Sequence, residues 1–127
     1  MNSPFNFVHR DGVLWVNAEA DRGFRKSLMD GVPVSLRPKM IEALAATPDA
    51  GARGHSFRYF GAEFNAVANA AADLANELHR YLESRGQPGF LDWVTMTRLG
   101  DDYRMLKVFY AWAQMKSAER PKPGLNA

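Results

Sequence analysis

Phe60, Phe64, Val67, Ala71, Leu74, Leu78 and Tyr81 follow one another at alternating steps of four and three residues, with no Gly or Pro between Gly61 and Gly86. That period returns each side chain to one face of a helix. It predicts a single unbroken helix from about Phe57 to Ser84, roughly 40 Å long at 1.5 Å per residue. A compact chain of this length has a radius of gyration of about 14 Å, so such a helix would cross the whole domain. Small residues (Gly61, Ala68, Ala72, Ala75) line a second stripe, and Glu63, Asp73, Glu77, Arg80 and Ser84 leave a polar strip for water.

The remaining elements are predicted around that helix. Phe5–His9 and Val13–Val16 flank Arg10-Asp11-Gly12, the pattern of an N-terminal β-hairpin closed by an Asp-Gly turn. Asn17 offers a cap, Glu19 and Asp21 suit a first helical turn, Ala20, Phe24 and Leu28 share a face, and Gly31 supplies a stop. Pro38 opens another short helix, with Ile41, Leu44 and Ala45 expected inward and Pro48 ending it. Residues 48–55 carry a Pro and two Gly and read as a loop. Pro88 precedes a helix from Phe90 to Arg98; Gly100 breaks it, and Asp101 is placed to cap a last helix from Asp102 to about Ala118. The eight residues Asp11–Ala18 resemble the strand and helix entry of KilA-N-type phage domains, a match too short to carry any functional residue. The fold expected is mainly α, a small α+β domain in which the hairpin packs on about five helices around one long central helix. It occupies residues 1–118, and 119–127, with two Pro and a Gly, form a flexible C-terminal tail.

The last helix changes the picture. Leu106, Phe109, Tyr110 and Ala113 fall on one face, Met105, Val108, Trp112 and Met115 on another, and only Arg104, Lys107 and Gln114 form a polar line. Either the helix is wedged into the core, or the second stripe awaits a partner. Monomers seldom expose apolar patches above roughly 300–600 Å² without a use for them, and Trp and Met are favoured at interfaces. Met105, Val108, Trp112 and Met115 are therefore the candidate protein interface.

Composition mainly excludes. The 127 residues contain no cysteine, which removes disulfides and cysteine-ligated metal centres. The N-terminus shows no leader and no run is long and apolar enough to span a bilayer, so a cytoplasmic protein without a membrane partner is expected. Net charge is only +2, and the excess lies in residues 1–58, where eight Lys/Arg face six Asp/Glu. Arg outnumbers Lys eleven to five, a bias that suggests a bacterial or phage genome.

No catalytic constellation is apparent. His9-Arg10-Asp11 spells the kinase catalytic-loop tripeptide, but the glycine-rich loop and Asp-Phe-Gly are missing. His9, His55 and His79 show no metal-ligand spacing. No nucleophile elbow or phosphate-binding glycine loop is present. The expectation is a protein that is not an enzyme and needs no cofactor or metal. The best polar candidate is the stretch holding Arg53, His55 and Arg58, read as a loop ahead of a helix N-terminus where an anion could sit. Elsewhere in the basic N-terminal half, Arg22, Arg25, Lys26, Arg37 and Lys39 leave a second route to nucleic acid. The helix–glycine turn–helix over residues 90–118 suggests a DNA reader, yet its second helix would present Asp101 and Asp102 to the bases.

The expected function is thus a small binding protein (regulator, assembly factor or inhibitor) acting on a protein partner or a second copy of itself through an apolar helical surface. The alternative is a nucleic-acid-binding regulator using the basic N-terminal half or the C-terminal helix pair.

Overall fold

The computed structural model describes residues 18–119. The expected hairpin and the tail beyond Glu119 lie outside the described residues. Those described are mainly helical: α1 (Ala18–Gly31), α2 (Arg37–Leu44), α3 (Ala52–Phe60), α4 (Phe64–Ser84), α5 (Phe90–Met96) and α6 (Tyr103–Glu119). Single 3₁₀ turns, Val34–Leu36, Gly61–Glu63 and Leu99–Asp101, lead into α2, α4 and α6.

α1 forms as its sequence dictates. Glu19 and Asp21 occupy the positive end of the helix dipole, Asp21–Arg25 and Lys26–Asp30 pair at four-residue spacing, and Phe24 and Leu28 are buried. Phe24 meets Phe90 and Trp93 of α5, with ring centroids 5.6 Å away in both cases. Trp93 is fully buried, so its indole N–H needs an acceptor. Asp21 Oδ1 accepts it at 2.7 Å, while Asp21 Oδ2 accepts from Arg25 Nε at 2.9 Å. Arg25 also donates to the Leu44 carbonyl at the end of α2. One carboxylate and one guanidinium thereby join α1, α2 and α5.

The long helix is shorter than expected. Residues 57–84 do not form one helix: α3 ends at Phe60, and Gly61 adopts φ 56°, ψ −127°, a backbone region that only glycine enters without strain. The chain turns there and α4 starts at Phe64. The break lets α3 pack against both α4 and α6, with Phe57 and Phe64 rings 5.3 Å apart and buried Ser56 donating to the Asp101 carbonyl. A straight continuation would forfeit those contacts. Phe64, Val67, Ala71 and Leu74 of the expected seam are buried, with Ala75 and Leu82 beside them. Tyr81, at its far end, is exposed under the guanidinium of Arg85.

Three further expectations need correction. Residues 52–60, read in part as loop, are helical, because Asp49 Oδ1 accepts the Gly51 N–H at 2.8 Å and starts the turn. In α2 the buried residues are Met40 and Ala43, while Ile41 is 59% exposed and Ala45 is exposed. The preceding 3₁₀ turn, which buries Leu36, sets the rotation of that short helix. The cap of α6 is Asp102, whose Oδ1 accepts the Arg104 N–H at 2.9 Å; Asp101 instead pairs with Arg53.

The core lies along α4 and α6, which pack together, with α2 on the other side of α6 and α5 against α4. Because α6 is covered on two sides, both of its apolar stripes are used.

Candidate functional site

Of the stripe expected to meet a partner, Met105 (3% exposed), Val108 (1%) and Trp112 (6%) are core residues, and Met115 is 37% exposed. The wedged arrangement is the one adopted. The functional surface must therefore be sought among side chains that the monomer leaves in solvent.

The clearest such surface is assembled by α3, the first turns of α6 and one edge of α2. On α3, His55 and Tyr59 are four residues apart and share a face, with Arg58 beside them; all three are exposed. On α6, Tyr103 and Lys107 have the same spacing, and α2 contributes Lys39 and Glu42. The rings interlock across the α3–α6 contact. Tyr59 and Tyr103 centroids lie 4.6 Å apart at 32°, and His55 and Tyr103 lie 5.1 Å apart at 47°. A ladder of three rings, His55–Tyr103–Tyr59, results, with Tyr103 in the middle. Arg104 Cζ sits 5.2 Å from the Tyr103 centroid and Lys107 Nζ 5.4 Å from that of Tyr59, both within cation–π range.

Two grooves adjoin along the ladder and share Tyr103 and Arg104. One, of about 510 Å³, holds His55 and Arg58 and is walled by Pro48, Asp49 and Gly51. The other, of about 250 Å³, holds Tyr59, Lys39, Glu42 and Lys107. Arg58 forms no ion pair among the described residues. Its guanidinium folds back over Gly54, where a Cβ would stand 3.6 Å from Nη1.

The charges here are unequal in availability. Asp102 is 4% exposed and fully engaged: Oδ1 accepts from Arg104 N and Nε, and Oδ2 from Nη2 at 3.0 Å. These hydrogen bonds raise the Arg104 pKa further above its ordinary value, outweighing the desolvation that opposes them. Arg104 is thus a fixed, neutralised strut. The Tyr59 hydroxyl, as hydrogen-bond partner, holds the Lys107 ammonium above its usual range. Lys107, held at the Tyr59 ring, and Arg58 and Lys39, which form no ion pair among the described residues, are the cations that line the grooves, against the carboxylates of Glu42 and Asp49.

His55 and Arg58 are thus brought together, but within a helix rather than in a loop ahead of one. Arg53 faces elsewhere, pairing with Asp101 at 3.2 Å and lying over Phe64 beside an apolar groove of about 390 Å³ between α4 and α5. Arg22, Arg25 and Lys26 sit on α1, where Arg25 is tied to Asp21 and Lys26 to Asp30. Lys39 was expected only among the scattered cations of the basic N-terminal half, and Tyr59, Tyr103 and Lys107 were not expected at the site. Their one sequence signal is an aromatic paired with a His or Lys four residues away on two different helices.

Among the described residues no cluster of His, Asp or Glu could hold a metal ion, and no helix is long and apolar enough to cross a membrane. No protein-family model, curated protein or solved structure matches this chain.

Proposed function

We propose that this chain is a non-enzymatic binding protein, a regulator, assembly factor or inhibitor, whose contact surface is the ring-and-cation face of α3, α6 and α2. The observation that carries this reading is the ladder itself. Tyr59 is 50% exposed, and His55, Arg58 and Lys107 are exposed around it. Tyr and Arg are enriched where binding energy concentrates. The rings also join α3 to α6, but that contact does not call for the exposed Arg58 beside them.

The apolar-stripe version of this function gives way to the new surface, because using Trp112 would require α6 to leave the core. The reading is tested by affinity capture from host extract with wild type and with Tyr59→Ser and Arg58→Ser. Each variant is first shown by thermal melts to be folded. Capture lost in both variants and retained in Tyr81→Ser is the expected result. Capture indifferent to Tyr59 and Arg58 would overturn it.

A further inference from the structure

We infer that the ligand of this face is a single-stranded nucleic acid, its bases stacking on His55 and Tyr59 and its phosphates held by Arg58, Lys39 and Lys107. This inference rests on the binding surface proposed above and names its partner.

The chemistry follows from how the grooves are furnished. Each groove contains one exposed ring at an end of the ladder and at least one cation: His55 with Arg58 in the first, Tyr59 with Lys107 and Lys39 in the second. Ring and cation are therefore repeated along one track, joined through Tyr103 and Arg104. A single strand has the same repeat, a flat π face and a phosphate per nucleotide, and proteins that hold it combine stacking platforms with a basic groove. A duplex does not fit. Its bases are stacked on each other, and reading their edges needs Arg, Asn or Gln at a helix N-terminus, whereas α6 starts behind Asp101 and the engaged Asp102. Besides Pro48, Ala52 and Val108, the grooves are lined mainly by rings and charges; a protein partner would use such rings and arginines too, but a ring and a cation recurring along one track match the repeat of a strand. Glu42 and Asp49 flank the track and hold binding to moderate strength.

The test is fluorescence anisotropy with a labelled single-stranded oligonucleotide of about 15 nucleotides, a length that covers the site sizes of such grooves. The matching duplex and a poly-glutamate peptide serve as competitors. Three phosphate contacts on a single strand give a log–log salt slope of about −2. Tyr59→Ala is expected to weaken binding about tenfold with the slope unchanged, as loss of one stacked base does. Lys107→Ala is expected to flatten the slope by about 0.7. Equal or tighter binding of the duplex or the peptide, or no binding of the strand at low salt, overturns the inference. In that event capture from host extract still sensitive to Tyr59→Ser leaves the binding surface standing with a different partner. Capture insensitive to it removes both.

Discussion

Asp21 shows how much can depend on one side chain that periodicity treats as ordinary. By pattern it is a first-turn acid on α1; in the structure it is also the acceptor for a fully buried indole and the partner of Arg25. Asp21→Ala strands the Trp93 N–H in the core and is expected to cost about 1–3 kcal/mol in urea melts. Asp21→Asn, which keeps an oxygen for the indole, should cost less. Trp112→Ala, by contrast, removes a core aromatic and should lower fold stability by about 3–5 kcal/mol, measured by the same melts. Lys107 contributes differently. Its pKa is raised above 10.5 in the fold, so whatever stability its contacts add is complete below the unfolded value and is lost only as pH rises through the folded one. Across neutral pH the charge of the face at this position is constant.

At the scale of elements, regular periodicity was legible and interruptions were not. The stretch from Phe64 to Leu74 lies on the face its spacing indicates, because a 21-residue helix averages over many turns. α2 has eight residues and a 3₁₀ turn ahead of it, so its phase depended on where that turn placed Leu36. α3 was hidden by Gly54 within it and Gly51 at its cap, and its end was misread because the seam runs on through Gly61 as if the chain were continuous. Gly61→Ala tests that break: a Cβ there meets nothing within 4 Å, so only backbone strain opposes it. A loss of about 1–3 kcal/mol is expected; an unchanged or raised stability would mean that α3 and α4 can fuse. Arg98 makes the complementary case, a non-glycine residue at φ 61° between α5 and α6. Arg98→Gly should relieve left-handed strain and stabilise the fold by about 1 kcal/mol, read as a higher urea midpoint.

For the whole molecule, the decisive fact is that α6 is covered by α2 on one side and α4 on the other. Two apolar stripes on one helix signalled either a partner or a central position, and only the packing of the other helices distinguishes these. The candidate site was half legible for the same reason. His55 and Arg58 lie in one short stretch and could be named, but the ladder joins Tyr59 to Tyr103 across about a third of the chain, a pairing that no local period encodes. With a net charge of only +2, long-range attraction cannot substitute for such a local arrangement, so binding must depend on the particular rings and cations that α3 and α6 bring together. The most direct measurement is amide chemical-shift mapping of the labelled protein with whatever partner the host extract yields. Shifts clustered at residues 39–42, 52–59 and 103–107 are predicted. Shifts centred instead on the α4–α5 groove, around Ala68, Ala72 and Leu91, would contradict the assignment of the functional surface.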